Sequence, residues 1–327
     1  MAEPSTEHVY QLLAAGRQAE AIALLMQQVD AGNADALYMM AVWRLIGSQV
    51  PRDLGLAREL LARARAKGQI DATMSEISLA ANGSGRPACW QAAILLLNEA
   101  KKHFAEAQLH HYLLEAMELA ANGSPMVTPV GKRLQPGVDV SYFSGFLSIA
   151  ECKHVAASVI DILTPASVID PVSGNAIQNP IRTSDAAVIG PTREDLVLRA
   201  INLRIAAASA TQVEQGEALT VLRYRQGQQF RLHSDAIAGA ENQRVATMLL
   251  YLNDDFSGGE TVFPDLELTI RPRAGDGLLF SNVDSAGKTE PRMRHAGAPV
   301  RLGTKWLATR WIRARPFSPW NGPDSPI

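Results

Sequence analysis

The sequence predicts an α+β protein in two parts: an all-α region of paired helices, residues 1–122, followed by a jelly-roll β domain with buttressing helices, residues 138–327. Three observations carry this. From Thr6 to about Asn122, Ala, Leu, Glu, Gln and Arg dominate, and apolar residues recur at helical spacing, as in Leu12, Leu13, Ala19, Ala23, Leu24 and Val29. From Gly123 to Gly137, Gly and Pro concentrate and break that period, which marks a linker. Beyond it, short β-rich runs alternate with turn signals such as Asn253-Asp254-Asp255 and Ser257-Gly258-Gly259, the pattern of a sandwich or jelly-roll barrel.

Within the helical part, Asp35-Ala36, Asp71-Ala72 and Glu106-Ala107 recur at near-constant spacing. Breaks at Ile46 to Arg52 and Ala81 to Pro87 separate helices that carry Leu60-Leu61-Ala64 and Leu96-Leu97-Ala100. Small Ala at fixed positions lets paired helices approach closely and stack. The pattern resembles Sel1-like or tetratricopeptide repeats. In the β part, strands are expected at Leu219 to Tyr224, Ala246 to Leu252, Glu260 to Phe263, Leu266 to Ile270, Gly277 to Phe280 and Lys305 to Ile312. Two helices, Ile149 to Leu163 and Thr192 to Ala210, precede the main run of strands and are expected to buttress the sheet.

Composition narrows the function. Net charge is −2 with no basic run, which argues against nucleic acid. No apolar run approaches the roughly 20 residues that span a bilayer, and no signal-peptide pattern opens the chain. Cys89 and Cys152 lie far apart without zinc spacing, so a reducing, cytoplasmic setting is expected.

The chemistry concentrates in Arg231-Leu232-His233-Ser234-Asp235. Residues i and i+2 of a strand share a face, so His233 and Asp235 converge, and His295 is placed to come from a distant strand. Two imidazoles and one carboxylate on one face of a metal leave three open positions, as non-haem iron(II) oxygenases require. His8, His103, His110, His111 and His154 sit in or beside helical stretches without such a pattern and are read as structural. Lys305 follows His295 on the next strand amid Trp306, Leu307 and Ala308. A buried cation there suits the distal carboxylate of a dianionic co-substrate, because an unpaired buried charge is costly.

From about Ser141 to Phe317 the chain resembles the catalytic domain of the prolyl 4-hydroxylase family. The matching segments are FLSIAEC (Phe146 to Cys152), RTS (Arg182 to Ser184), LRYRQGQQFRLHSD (Leu222 to Asp235), QRVATMLLYLND (Gln243 to Asp254), GGETVFP (Gly258 to Pro264), GDGLLF (Gly275 to Phe280) and HAGAPVRLGTKWLATRWIR (His295 to Arg313). The resemblance implies a double-stranded β-helix (jelly roll) that uses iron(II), 2-oxoglutarate and O2, with ascorbate as reductant. It assigns iron to His233, Asp235 and His295, the distal carboxylate to Lys305 and Tyr224, and the co-substrate pocket to Thr261 and Trp311. It places Arg244 and Phe230 at the substrate, although the family often has tyrosine at the latter position and proline where Leu232 stands. The implied reaction couples decarboxylation of 2-oxoglutarate to hydroxylation of a C–H bond, most simply of a prolyl residue in a peptide or protein partner held by the helical repeats. Two readings stay open beside it: a hydroxylase of a free amino acid or small metabolite, and a repeat-based adaptor or oxygen sensor with weak or no turnover.

Overall fold

The computed structural model describes residues 6–169, 176–178 and 181–323. It divides into two units, residues 1–123 with 191–199, and residues 124–190 with 200–327. The first unit holds α1 (Thr6–Ala14), α2 (Gln18–Asp30), α3 (Ala34–Ile46), α4 (Leu54–Arg65), α5 (Ile70–Asn82), α6 (Trp90–Ala100) and α7 (Ala105–Glu115). The acidic residue and alanine of each recurring dipeptide fall at the second and third positions of α3, α5 and α7, and Ala36, Ala72 and Ala107 are fully buried. The sequence breaks are caps. α3 and α5 end on Gly47 and Gly83 in the left-handed conformation, and Asp53 opens α4 by accepting the Leu56 N–H at 2.9 Å. No helix among the described residues is long and apolar enough to cross a membrane.

From Lys132 on there follow, in order, β1 (Lys132–Arg133), β2 (Val140–Phe143), α8 (Ile149–Ala157), β3 (Thr164–Pro165), β4 (Ser167–Ile169), β5 (Ala176–Gln178), β6 (Asp185–Ile189), α9 (Leu196–Ser209), whose first turn groups with the first unit, and β7 (Leu219–Tyr224). There follow β8 (Phe230–His233), β9 (Arg244–Tyr251), β10 (Ser257–Gly258), β11 (Thr261–Phe263), β12 (Leu268–Ile270), β13 (Gly277–Ser281), β14 (His295–Gly297), β15 (Val300–Leu302) and β16 (Lys305–Arg313). The large sheet runs β1-β2-β13-β9-β16-β7-β6-β3 and the smaller one β12-β11-β14-β8, with two-stranded β10-β15 and β4-β5 beside them. All pairings are antiparallel. Order in the sheet departs from order in the chain, as a jelly roll requires.

One core cluster joins residues of both sheets, among them Leu222, Leu249, Tyr251 and Leu307 from the large one and Phe263 and Ile270 from the smaller. The opposite face of the large sheet is also buried, at Val221, Met248, Leu250, Ala308 and Ile312. That explains why β9 reads as a continuous apolar run rather than an alternating one. The helices α8 and α9 are clamped together by Arg204, whose guanidinium donates to both Glu151 oxygens and to the Phe146 carbonyl at 2.7–3.1 Å.

Several expected boundaries shift. The helix expected to reach Leu163 stops at Ala157, and the Ser158 hydroxyl turns back to the Val155 carbonyl. The strand expected from Leu266 starts at Leu268. Pro264 lacks a ladder donor and opens a single 3-10 turn, and Glu267 closes it at φ 50°. The helix expected from Thr192 begins at Leu196, and residues 191–199 group with the helical unit. Asn82 donates to the Pro191 carbonyl at 2.8 Å, and His110 faces Asp195 at 3.6 Å. Within the Gly/Pro-rich segment, Lys132 and Arg133 form an exposed, charged edge strand, a composition that discourages pairing with another chain.

Gly275 shows how tightly α8 is joined to the sheet. It sits at φ +88°, and a Cβ there would lie 2.2 Å from the Leu147 carbonyl oxygen. Gly275→Ala is expected to cost about 3 kcal/mol. Thermal unfolding followed by circular dichroism should show a fall of roughly 6–12 °C.

Candidate active site

Between the two sheets lies a pocket lined by Leu222, Tyr224, Phe230, His233, Asp235, Leu249, Thr261, His295, Gly297, Lys305, Leu307, Thr309 and Trp311. Its construction follows strand periodicity. Lys305, Leu307, Thr309 and Trp311 are alternate residues of β16, and Leu222 and Tyr224 are alternate residues of β7. Lys305 pairs with Tyr224 and Leu307 with Leu222 in the register. On the smaller sheet Thr261 pairs with Gly297, and Gly297 with Phe230.

His233 ends β8 and His295 begins β14, and the two are register partners across the sheet. Their ring centroids are 4.3 Å apart. Asp235 departs from expectation: it lies in the bend after β8, not on the strand, so shared strand facing does not explain its convergence with His233. A hydrogen bond does. Thr247 on β9 donates its hydroxyl to Asp235 Oδ2 at 2.7 Å. Asp235 Oδ1 then lies 3.6 Å from His233 Nε2, and Oδ2 lies 3.8 Å from His295 Nε2. The three residues offer ligand atoms within 4.8 Å of one another.

Each imidazole is oriented by its own backbone. His233 Nδ1 lies 2.8 Å from the Arg231 carbonyl and His295 Nδ1 lies 3.1 Å from the Met293 carbonyl. A carbonyl only accepts, so Nδ1 carries the proton and Nε2 is left as a bare donor atom facing the carboxylate. Burial pushes the His295 pKa down to about 4; Asp235 pulls it up and His233 down. Its ring is therefore neutral and ready to ligate near neutral pH. For Asp235, burial pushes the carboxyl up, but the two imidazoles and the Thr247 hydroxyl together hold it well below the usual range. Two imidazoles beside an ionised carboxylate are the donor set that suits iron(II).

Lys305 is buried at 3% exposure, and its ammonium donates to the Gly259 carbonyl at 2.7 Å. Among the described residues no carboxylate lies within ion-pair distance of it. Burial pushes its pKa down to about 8, with Glu260 opposing. Burial likewise raises the Tyr224 hydroxyl, with Arg182 opposing, so it stays a proton donor. A buried cation beside a phenol, inside a pocket that also holds the His-Asp-His group, fits a dicarboxylate that chelates a metal at its other end.

The remaining expected residues gather here in different ways. Thr261 is buried and accepts from the Tyr251 hydroxyl at 2.9 Å. Phe230 stacks on His233 with centroids 3.5 Å apart. Arg244 is not among the pocket residues. It lies over the Trp311 ring at 4.0 Å and grips both Glu217 oxygens at 2.6 and 2.8 Å. Glu217 also takes Arg313 at 2.5 Å. Glu217, Thr247, Tyr251 and Asn282 went unnoticed as site residues in the sequence. Thr247, a lone hydroxyl inside the apolar run of β9, is the one with a visible signal.

Residues 219–313 match the profile of the 2OG-Fe(II) oxygenase superfamily. Among curated proteins, the chain is 36% identical over 192 residues to prolyl 4-hydroxylase 1 of Arabidopsis thaliana, covering 53% of this chain and 68% of that protein. It is 34% identical over 199 residues to the probable prolyl 4-hydroxylase 6 of the same plant, covering 54% and 69%. Among solved structures, the viral collagen prolyl hydroxylase from Paramecium Bursaria Chlorella virus-1, in its 2OG complex, aligns with a TM-score of 0.45 at 28% identity, covering 55% of this chain and 97% of that one. The profile match, the identity to the curated prolyl 4-hydroxylases and a His-Asp-His group of the right chemistry agree: the chain belongs to the prolyl 4-hydroxylase-like branch of the 2-oxoglutarate- and iron(II)-dependent oxygenases, and is a dioxygenase that uses iron(II), 2-oxoglutarate and O2.

Proposed function

We propose that this enzyme hydroxylates a prolyl residue within a peptide or protein. The observation that supports this reading most is the identity to prolyl 4-hydroxylases along the oxygenase domain. Bound iron(II) and 2-oxoglutarate supply the oxidising chemistry, by which O2 delivers one oxygen atom to succinate and one to the substrate as CO2 leaves. The protein holds and orients. His233, Asp235 and His295 would hold the iron, their ligand atoms lying within 4.8 Å of one another. Lys305 and Tyr224 take the distal carboxylate of 2-oxoglutarate, with Thr261 and Trp311 lining its pocket. Phe230, stacked on His233, lines the pocket on the substrate's side, whereas Arg244, held over Trp311 by Glu217 outside the pocket lining, would meet only a substrate that extends beyond the pocket. The apolar walls at Leu222, Leu249 and Leu307 keep water from the reacting atoms. The helical region, similar to Sel1-like or tetratricopeptide repeats, engages the protein partner along its stacked helices.

The test is succinate production by the purified full chain with iron(II), ascorbate and 2-oxoglutarate, with and without proline-containing peptides. Peptide-stimulated turnover and a peptide that gains one oxygen on proline is the expected result. Stimulation by free proline or another small molecule, and by no peptide, overturns the peptidyl reading.

A further inference from the structure

Asp235 has two carboxylate oxygens, and the protein treats them differently. Oδ2 accepts the Thr247 hydroxyl at 2.7 Å, whereas Oδ1 faces His233 Nε2 at 3.6 Å, longer than a hydrogen bond. Thr247 is held in turn. Asn282, just past the end of β13, donates its side-chain amide to Thr247 Oγ1 at 3.0 Å. A hydroxyl has one proton, and an amide N–H fills one of its lone pairs, so the Thr247 proton has one direction left to point. That direction is Asp235.

Nothing loosens the chain of contacts. Thr247 is 0% exposed and Asn282 is 2% exposed, so bulk water does not compete for either group. Asn282 is fixed by its own backbone: its N–H donates to the Val245 carbonyl at 2.8 Å, and its carbonyl accepts from the Glu290 N–H at 3.0 Å. Thr247 sits mid-strand in β9, paired with Phe280 on one side and Trp311 on the other.

We propose that Thr247 and Asn282 form a positioning relay that makes Asp235 a one-oxygen ligand, tying down Oδ2 and presenting Oδ1 to the metal. The proposal rests on the reading of Asp235 as an iron ligand. The chemistry gives the relay its purpose. A two-histidine, one-carboxylate set serves a reaction that needs three open positions, two for the chelating end of 2-oxoglutarate and one for O2. A carboxylate free to rotate and bind through both oxygens consumes one of the three. A directed hydroxyl on Oδ2 opposes that rotation.

The test reads metal binding directly, in full-length protein freed of metal and titrated with cobalt(II) while the visible absorption is followed. Thr247→Val is expected to weaken cobalt binding about 10–100-fold, the usual effect of removing a hydrogen bond that orients a ligand, and to change the absorption band as the coordination changes. Thr247→Ser restores the hydroxyl and is expected to keep both affinity and spectrum. Asn282→Ala is expected to give a smaller loss in the wild-type background and none in the Thr247→Val background, because it acts only through the threonine. A wild-type affinity and spectrum in Thr247→Val overturns the relay, as does an Asn282→Ala loss that is equal in both backgrounds. Asp235→Ala separates this failure from the deeper one. If Asp235→Ala loses cobalt and Thr247→Val does not, the relay alone falls; if Asp235→Ala binds cobalt normally, the ligand reading falls with it.

Discussion

Asp235→Ala is expected to abolish 2-oxoglutarate turnover, with iron affinity falling by more than the roughly 10–100-fold typical of lost supporting hydrogen bonds. Two imidazoles remain, but the negative charge that would balance the metal is gone. The substitution should also reshape the acid limb of metal-free stability. Asp235 titrates below its ordinary value in the folded protein, so its contribution is present above the usual carboxylate range and is lost as pH falls through the folded value. His295 acts over a higher window. Its pKa of about 4 in the folded state lies below the ordinary value of about 6.5, so stability also drains away as pH falls between those two values. The variant should lose the Asp235 step, while the His295 step reaches to lower pH, because Asp235 no longer holds that pKa up. Urea melts of metal-free protein at several pH values measure this, and an unchanged lower limb together with retained succinate production removes Asp235 from the site.

Lys305→Met should move stability and function in opposite directions. Its buried ammonium has the Gly259 carbonyl and the Tyr224 and Tyr251 rings as partners and, among the described residues, no carboxylate within ion-pair distance, so without a co-substrate the charge is poorly compensated. Removing it is expected to stabilise metal- and co-substrate-free protein by about 1–3 kcal/mol, less what the orphaned Gly259 carbonyl gives back. A rise of roughly 2–6 °C in the unfolding midpoint follows. The sign also predicts a pH dependence. The folded pKa of about 8 is depressed from 10.5, so the lysine costs stability below about 8 and the cost fades as pH rises towards 10.5. The gap between variant and wild type should close over that window. Meanwhile 2-oxoglutarate loses a buried charge partner worth about 2–5 kcal/mol, or a roughly 30- to several-thousand-fold rise in the concentration required. A variant that is less stable, with an unchanged 2-oxoglutarate requirement, refutes the assignment.

The sequence carried the strands best where both faces are buried or turns are sharp. β7 was expected at Leu219 to Tyr224 and is found there, and β13 and β16 end within one residue of expectation. Helix ends were less legible: the Ser158 hydroxyl turns back to the Val155 carbonyl just past the end of α8, and residues 191–199 group with the helical unit, which no local pattern announces. The same divide runs through the site. His233, Asp235, His295 and Lys305 are visible because their residue types announce chemistry. Asp235 was expected on the strand beside His233, yet it stands in a bend held by Thr247, and nothing local in the sequence reports a hydrogen bond across twelve positions. Glu217 is harder still. Its pairing with Arg244 and Arg313 is set by the β9–β16 register, which brings those two arginines side by side.

The register of His233 with His295 has a consequence for folding. The two belong to the smaller sheet, whereas Thr247 and Lys305 belong to the large one, so neither sheet alone contains the site. Iron and 2-oxoglutarate therefore act as a clasp: their affinity reports how well the two sheets are docked, and their loading resists the sheets' separation in proportion to occupancy. Slower proteolysis of the loaded protein at the loops joining the sheets is the kinetic face of the same coupling.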